Sequence, residues 1–280
     1  MSVFFEETKS NGVPLRYSQT PLSHIPIDEL RLLVNDLNNL SDRLGCVVFE
    51  GDGSCETDLI VFAGNLERFS MLSVARSLGS RVFYFQDTLS WWYGGSELLP
   101  DIEGIAKFLL EHVVSRRCLA FGQSSGGYAA LAIGALIPHC DVLACSPQTF
   151  HDKDMKGKFN ISRELNVQST PDYILDIADL YNRVDRTGAA AAIFSASEYG
   201  NPNTSHFWMD HLHLAHLTRA RDVEIFVAGS NNHSIVFRRA SLFADCLQRM
   251  LCCAGSNAAA RMSIITHVVQ AIQDVELPEE

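Results

Sequence analysis

Short apolar runs alternate along the chain with longer segments in which apolar residues recur every three or four positions. The short runs are typical of strands buried on both faces, and the periodic segments are typical of amphipathic helices. Strands are predicted at residues 46–49, 59–63, 81–85, 118–121, 141–145, 190–194 and 223–227. Helices are predicted at about 27–44, 68–78, 101–114, 128–136, 171–181, 235–253 and 258–275, with one more that ends near Arg221. The alternation predicts an α/β fold with a doubly wound, mostly parallel sheet and helices on both faces.

The amino-terminal segment follows a different pattern. Residues 3–8 and 13–18 are strand-like and flank Asn11-Gly12, a dipeptide that adopts the positive φ angles of a tight turn at little cost. A β-hairpin is therefore predicted there. No linker, repeat or low-complexity segment interrupts residues 1–280, so one domain is expected. The segment 151–182 begins with a polar stretch without periodicity, and a cap or loop insertion is predicted around it.

The fourth predicted strand leads through G-Q-S-S-G into a helix of small residues, and this sequence matches G-x-S-x-G. In that motif a strand turns directly into a helix, and the middle serine takes a strained conformation that exposes its hydroxyl. Gly122 and Gly126 stand where larger side chains would clash. Ser124 is therefore the predicted nucleophile. Ser125 is the weaker candidate, because Gln123 would occupy the glycine position that it needs.

A serine hydroxyl needs a base to take its proton, and a carboxylate that orients the base improves it. His233 follows the last predicted strand by a short polar loop and is the predicted base. Two carboxylates are candidates for the acid. Glu198 follows the strand at 190–194 within a few residues. Asp210 lies near the start of a helix that is predicted to begin anywhere between Thr204 and Asp210. It would face the site as an N-cap if the helix began at Asp210, but would be a mid-helix surface residue if the helix began at Thr204.

An oxyanion hole needs two preorganised donors about 3 Å from the developing negative charge. One predicted donor is the backbone N–H of Ser125. The other is predicted at Gly64 or Asn65, which follow the second strand of the sheet. Three aromatic residues follow the next strand and either line an apolar substrate pocket or pack beneath a cap. They are Trp91, Trp92 and Tyr93.

Three histidines lie close together in the sequence, at His211, His213 and His216. The second and third would share a helix face, but no third ligand with a fixed spacing accompanies them. Two of the three are expected to face solvent. Neither a metal site nor a cofactor is therefore predicted, although a metal-dependent hydrolase that uses these histidines is kept as a third hypothesis.

Composition restricts the kinds of partner that the protein is expected to bind. A net charge of −11 argues against nucleic acid, because nothing here would neutralise a phosphate backbone. The eight cysteines include no CxxC pair. The amino terminus lacks a basic region with a following apolar stretch, and no run reaches the roughly 18 apolar residues of a membrane span. We expect a cytoplasmic protein without a membrane or nucleic-acid partner, acting on a small-molecule acyl substrate; a homo-oligomer is left open.

The chain resembles serine hydrolases of the α/β-hydrolase superfamily, and more narrowly bacterial hydrolase-like proteins with an F-G-x-S-x-G-G-Y-A-A-L segment. That segment stands here at 121–131. Similar proteins have an S-P-Q-T-F strand end, here 146–150, and a D-x-x-W-Y-x-G-G-like loop, here 87–95 with one residue more. A D-x-x-H-x-x-x-L helix start is similar to 210–217, and a closing G-x-x-H is similar to 229–233, again one residue longer.

The resemblance covers about residues 58–240 and implies an α/β-hydrolase type of sheet. It implies three roles: Ser124 as nucleophile, His233 as base and Asp210 as acid. The segment 195–209 is longer than in similar sequences and carries Glu198. The acid therefore stays open between Asp210 and Glu198.

Two functions of different classes follow. The first is a serine hydrolase of the carboxylesterase or thioesterase type, which cleaves its substrate through an acyl-enzyme on Ser124 with His233 as base. The alternative is a non-catalytic protein of the same fold that binds a ligand or a partner. An incomplete set of catalytic residues would favour the second, because a fold does not determine a function.

Overall fold

The structure is a computed structural model that describes residues 6–10, 13–39, 45–64, 69–87, 92–94, 101–113, 117–150, 174–196, 207–230, 232–253 and 258–272. Within these residues one sheet contains nine strands: β1 (Glu6–Ser10), β2 (Val13–Ser18), β3 (Gly45–Phe49), β4 (Asp58–Phe62), β5 (Val82–Gln86), β6 (Cys118–Gln123), β7 (Asp141–Cys145), β8 (Ala190–Ser195) and β9 (Val223–Ala228). The same residues form the helices α1 (Ile27–Asn39), α2 (Phe69–Ala75), α3 (Ile102–Val113), α4 (Ser125–Leu136), α5 (Ile177–Arg183), α6 (Phe207–Leu217), α7 (Ala240–Cys252) and α8 (Ala258–Ala271).

The strand order is β1-β2-β3-β5-β4-β6-β7-β8-β9. Neighbouring strands from β5 to β9 are parallel, whereas β3 runs antiparallel to β5. The chain passes from β4 to β5 on one side and then crosses back to form β6 on the other side of β4. The carboxyl ends of β4 and β6 therefore flank a topological switch point, which is where doubly wound sheets bind ligands.

Helices cover both faces of the sheet. One layer contains α3, α4, α5 and the end of α6, and the opposite layer contains α1, α2, α7 and α8. Strand β4 shows why the sheet is central: Ile60 and Phe62 point into the first layer, while Leu59 and Val61 point into the second. All four side chains are fully buried. Each such burial stabilises the fold by about 1.5–3 kcal/mol, so the apolar run holds β4 in the middle of the sheet.

The predicted α/β architecture with a mostly parallel sheet is confirmed. The predicted hairpin is also confirmed, since β1 and β2 pair in a register that places Ser10 opposite Val13 and leaves two residues for the connection. The reversed direction of β2 and β3 relative to β4–β9 was not predicted. It follows from tertiary pairing, because β2 is parallel to β3 and β3 is antiparallel to β5.

Several helix ends differ from the predictions. The helix predicted at 171–181 is α5, which begins at Ile177 because the side chain of Asp176 accepts a hydrogen bond from the N–H of Asp179 and caps it. Most of the predicted insertion at 151–182 lies outside the described residues. The helix predicted at 235–253 begins only at Ala240. No helix in the described ranges is both long and apolar enough to cross a membrane.

Candidate active site

Ser124 lies between β6 and α4, at the N-cap of the helix, with φ 58° and ψ −120°. A positive φ is rare for a residue with a side chain and costs about 1–3 kcal/mol, so the surroundings must hold it. The N–H of Ser124 donates to the carbonyl of Cys145 at 2.9 Å. Its own carbonyl accepts from the N–H of Gln148 at 3.2 Å and from that of Tyr128 at 3.0 Å. The end of β7 therefore holds the turn in its strained conformation.

The two glycines of the motif are required by close backbone contacts. A Cβ on Gly122 would collide with the carbonyl oxygen of Gly126. A Cβ on Gly126 would collide with the carbonyl oxygens of Phe62 and Ala63, at the end of β4. The turn is thus pressed against β4, and the clashes predicted for larger side chains at Gly122 and Gly126 are confirmed. Ser125 does not occupy this turn, since it is the first residue of α4 and is only 2% exposed.

The structure brings Ser124, His233 and Asp210 together. His233 Nε2 lies 2.9 Å from Ser124 Oγ, and His233 Nδ1 lies 2.7 Å from Asp210 Oδ1. The side chains of His233 and Asp210 are only 9% and 1% exposed, so little water competes for these bonds. A carboxylate at Nδ1 favours the tautomer that carries its proton there, which leaves Nε2 able to accept a proton from the serine.

Asp210 reaches the site from inside a helix. Helix α6 begins at Phe207, so Asp210 lies in its first turn. This start lies within the range predicted for it, between Thr204 and Asp210. Asp210 is neither an N-cap nor a surface residue, because the face of α6 that carries it packs against the loop of His233. The competing carboxylate, Glu198, lies outside the described residues.

Two of the predicted oxyanion donors, Ser125 and Gly64, lie close to the turn that carries Ser124. Ser125 is the first residue of α4, so its N–H has no acceptor within the helix, and the helix dipole favours negative charge there. Gly64 follows β4, and a Cβ built on it would stand 3.3 Å from the carbonyl oxygen of Gln123. Gly64 therefore lies against the residue that precedes the nucleophile. Asn65 lies outside the described residues.

Two of the three aromatic residues that were predicted to line a pocket or to pack beneath a cap lie in the core. Trp91 lies outside the described residues. Trp92 is 3% exposed and packs against the ring of Tyr128, with the ring centroids 5.2 Å apart. Tyr93 is fully buried and its hydroxyl donates to the carbonyl of Ala63. Both residues belong to the core beneath the site, so they match the alternative of buried packing rather than an open pocket wall.

No protein-family model and no curated protein matches this sequence. Solved structures do. The mouse alpha/beta hydrolase domain-containing protein 10 is 12% identical and covers 74% of this chain and 93% of its own, with a TM-score of 0.45. The capsule O-acetyltransferase of Neisseria meningitidis serogroup A is 14% identical and covers 74% of this chain and 90% of its own, with a TM-score of 0.51. Est1E from Butyrivibrio proteoclasticus, solved with ferulic acid bound, is 10% identical and covers 75% of this chain and 94% of its own, with a TM-score of 0.50.

The strand order and the crossover at β4 agree with the two matches whose TM-scores are 0.51 and 0.50. The chain has the α/β-hydrolase fold. At identities of 14% and 10%, these two matches establish the fold alone. In this α/β-hydrolase fold, Ser124 follows β6, Asp210 follows β8 and His233 follows β9, all at the carboxyl edge of the sheet.

Sequence reasoning missed a residue that holds the loop of His233. The side-chain carbonyl of Gln123 accepts a hydrogen bond from the N–H of Val236 at 3.0 Å. The N–H of Ile235 in turn donates to the carbonyl of His233 at 3.0 Å. Gln123 therefore ties the strand that carries Ser124 to the turn that carries the histidine. The position of Gln123 inside the G-x-S-x-G motif could have pointed to this role. From the sequence it serves only as a reason against Ser125 as the nucleophile.

A buried polar network behind Asp210 was also missed. The N–H of Thr149 donates to His213 Nδ1 at 3.0 Å, and Thr149 Oγ1 lies 3.0 Å from His216 Nδ1. His216 Nε2 lies 2.9 Å from a carboxylate oxygen of Asp176. The network joins α6 to the end of β7 and to α5. Two motifs in the sequence could have pointed to this network: the S-P-Q-T-F strand end at 146–150, which contains Thr149, and the D-x-x-H-x-x-x-L helix start at 210–217, which contains His213.

The same network corrects the expectation that two of the three neighbouring histidines face solvent. His213 is 4% exposed and His216 is mostly buried, and only His211 is exposed. The buried histidines face inward because Thr149 and the ring of Phe150 cover them. No group of three or more potential metal ligands occurs in the described part of the chain.

Proposed function

We propose that this protein is a serine hydrolase that cleaves a carboxylic ester or thioester through an acyl-enzyme on Ser124. One observation carries the proposal: the continuous chain from Ser124 Oγ through His233 to Asp210, with distances of 2.9 and 2.7 Å. This chain supplies a nucleophile, a base and an orienting acid in the order that serine catalysis requires. The strained φ of Ser124 adds support, because such strain concentrates at functional sites.

In the first half of the reaction, Ser124 Oγ attacks the acyl carbon while its proton moves to His233 Nε2. The carbonyl oxygen becomes an oxyanion, which the N–H of Ser125 and a donor at Gly64 or Asn65 stabilise. The intermediate then collapses. The bond from the acyl carbon to the leaving oxygen or sulfur breaks, and His233 returns the proton to the leaving group.

In the second half, a water molecule enters the site of the leaving group. His233 Nε2 takes a proton from this water as its oxygen attacks the acyl carbon of the ester on Ser124. The second oxyanion occupies the same hole, and its collapse releases the acid and restores the serine hydroxyl with the proton from His233. Throughout both halves, Asp210 stays ionised, holds the imidazole orientation and stabilises its charged form.

The alternative is a non-catalytic α/β-hydrolase-fold protein that binds a small ligand or a partner. This alternative does not explain why Asp210 is buried beside His233 or why Ser124 has a strained backbone conformation. Removing the three side chains would then leave ligand binding intact. A metal-dependent hydrolase gains no support from the described residues, because their buried histidines bond to Thr149 and Asp176.

The nucleophile can be tested with a fluorophosphonate probe, which forms a covalent bond with an activated serine. The labelled peptide is identified by mass spectrometry in the wild-type protein and in two variants, Ser124→Ala and Ser125→Ala. The second variant is a matched control, since it removes a neighbouring hydroxyl that is buried. We expect the label on Ser124 in the wild-type and Ser125→Ala proteins and no label in Ser124→Ala. A label on any other residue, or none on the wild-type protein, would contradict the proposal.

Substrate choice is tested with a small panel. The structural matches include an O-acetyltransferase and an esterase with ferulic acid bound, so acetyl and feruloyl esters and an acetyl thioester are suitable acyl donors. Release of the free acid measures hydrolysis. Transfer of the acyl group to an added alcohol, with little free acid formed, would assign a transferase instead, because the same acyl-enzyme serves both reactions.

A further inference from the structure

The peptide that joins Ala63 to Gly64 is held from two directions. The carbonyl of Ala63 accepts a hydrogen bond from the hydroxyl of Tyr93, which also lies 3.4 Å from the carbonyl of Phe85. On another side the same carbonyl abuts the Cα of Gly126, where a Cβ would collide with it. The N–H of this peptide belongs to Gly64, a predicted donor of the oxyanion hole. The contacts of its carbonyl therefore bear on the direction of that N–H.

The segment that supplies Tyr93 is strained. Trp92 and Tyr93 have φ angles of 59° and 61°, which few residues with side chains adopt. Such conformations persist only where surrounding contacts hold them, and they cluster at functional sites. Here the N–H of Tyr93 donates to a carboxylate oxygen of Asp87 at 3.0 Å, and its ring packs edge-on against Phe62 with centroids 5.2 Å apart. The strain turns the Tyr93 side chain beneath the end of β4.

The chemistry of the hydroxyl suits a donor. Tyr93 is fully buried, and burial raises the pKa of its phenol well above the ordinary value, with the nearby Asp87 carboxylate adding to the shift. The phenol therefore stays protonated throughout the pH range in which an esterase is assayed. A neutral phenol donates its proton to a carbonyl, and the bond that it makes to Ala63 persists over that range.

We propose that Tyr93 is a positioning residue for the oxyanion hole, acting through the peptide between Ala63 and Gly64. In a planar trans peptide the C=O and the N–H point in opposite directions, so a fixed carbonyl fixes the N–H as well. A hydrogen bond to the carbonyl also polarises the amide and strengthens its N–H as a donor, by about 10–30% in estimates of cooperativity. The inference rests on the proposed function, since it assumes an oxyanion at Ser124.

Two other buried tyrosines provide matched controls. The hydroxyl of Tyr181 donates to the carbonyl of Leu131 in α4 at 3.1 Å, so Tyr181→Phe removes the same kind of bond away from the site. The hydroxyl of Tyr84 is buried without a hydrogen-bond partner among the described residues, so Tyr84→Phe removes a phenol oxygen without breaking a bond there. The three Phe variants change the same atom in three environments.

The experiment compares kcat and KM of Tyr93→Phe, Tyr181→Phe and Tyr84→Phe with an activated acetyl ester, alongside their melting temperatures. Loss of a complete oxyanion donor typically costs 10²–10³-fold in kcat, so a misdirected donor should cost about tenfold or more. We expect this loss only in Tyr93→Phe, with KM within about twofold of wild type. Tyr181→Phe should show a similar loss of melting temperature with an unchanged kcat.

A second measurement reports on the oxyanion itself. A trifluoromethyl ketone forms a hemiketal with the nucleophile and places a negative oxygen in the hole. Its affinity should fall in Tyr93→Phe by the same factor as kcat/KM, because both depend on stabilisation of that charge. A purely structural role would lower the melting temperature and leave this affinity unchanged. Equal behaviour of Tyr93→Phe and Tyr181→Phe in kcat and inhibitor affinity would overturn the inference.

A variant with 4-aminophenylalanine at position 93 keeps a donor of similar size and covers the case in which Tyr93→Phe does not fold. The amine is a weaker donor than the phenol, so its kcat should lie between those of the Phe variant and wild type. A kcat that falls while the affinity for the trifluoromethyl ketone stays at the wild-type value would contradict the inference. Ser124→Ala separates the two proposals: if it keeps its activity, the proposed function fails, and if it is inactive while Tyr93→Phe is fully active, only the inference on Tyr93 fails.

Discussion

On one side of the candidate site, the nucleophile side, the residues around the proposed nucleophile Ser124 are neighbours in sequence. On the other, the distant side, His233 and Asp210 come from segments far apart in the chain. Gly122, Ser124 and Gly126 lie within one strand–turn–helix unit, and their constraints are contacts between backbone atoms. His233 and Asp210 are 23 positions apart, and His233 is 109 positions from Ser124. Their alignment depends on side-chain hydrogen bonds between separate elements.

The two sides differ in how well they should tolerate a substitution. A backbone collision at Gly126 cannot be relieved by a rotamer change, because carbonyl oxygens of β4 stand on the other side. The distant side is held by several bonds in parallel, through Gln123 to Val236 and through Thr149 to α6. Losing one of these bonds leaves the others, so graded effects are expected there. Four sets of variants test this contrast.

The largest effect is expected from the reacting groups themselves. Ser124→Ala and His233→Ala should each lower kcat by about 10⁴–10⁶-fold, because residues that act as one unit lose most of their effect together. The double variant should be no slower than either single variant. Rates are measured with the same activated ester, and circular dichroism checks the fold. Losses that multiply in the double variant would show that His233 does not act on Ser124.

The next effect compares the two carboxylates. Asp210→Asn should lower kcat by up to about 10⁴-fold, since an amide at this position favours the wrong imidazole tautomer. Glu198→Gln is the matched change and should lower kcat by less than tenfold. Both variants are assayed at the same pH, with thermal melts as a control for stability. A larger loss in Glu198→Gln than in Asp210→Asn would assign the acid to Glu198 instead.

Gly126→Ala tests the rigidity of the nucleophile side. The new methyl group must push α4 away from the carbonyls of Phe62 and Ala63, which should cost about 1–3 kcal/mol of unfolding free energy. Gly64→Ala is the comparison, because among the described residues its Cβ would meet only the carbonyl of Gln123, at 3.3 Å. Chemical denaturation measures both. Equal stability of Gly126→Ala and wild type would mean that the turn is not held against β4.

The smallest effect on kcat is expected at Thr149 on the distant side. Thr149→Val keeps the N–H bond to His213 but removes the hydroxyl beside His216. Because this leaves a buried polar group of His216 without that partner, the free energy of unfolding should fall by about 1–3 kcal/mol. Because the network joins α6 to the end of β7, its loss should displace α6 and with it Asp210. This displacement should lower kcat by about tenfold, well below the effect of Asp210→Asn. Thr149→Ser restores the hydroxyl and should restore both quantities. A Thr149→Val protein with wild-type kcat would show that this network does not position Asp210.

The central part of the fold could be predicted because its signals are local. The apolar run that forms β4 is buried on both faces whatever its neighbours are, and Asn11-Gly12 marks the hairpin by its backbone preference. The direction of β3 could not be predicted. A strand has the same side-chain pattern in either direction, and only its pairing with β5 decides between them.

The aromatic loop shows the same limit at the site. Its apolar composition is equally compatible with a pocket wall and with a buried core. The core position of Tyr93 depends on its positive φ and on the hydroxyl bond to Ala63, which join segments 30 positions apart. Likewise, the histidines at 213 and 216 were visible as a pair on one helix face. Their partner, Thr149, lies 64 positions from His213, and nothing in the spacing reveals it.

By itself, the sequence determined the strand–turn–helix around Ser124, the glycines that permit it, and His233 as the histidine after the last strand. These follow from steric limits on neighbouring backbone atoms and from the order of the elements. Only the tertiary structure decided that Asp210 faces His233 from inside α6. That choice depends on which face of a helix is buried against a distant loop, and on hydrogen bonds whose partners are far apart in the chain.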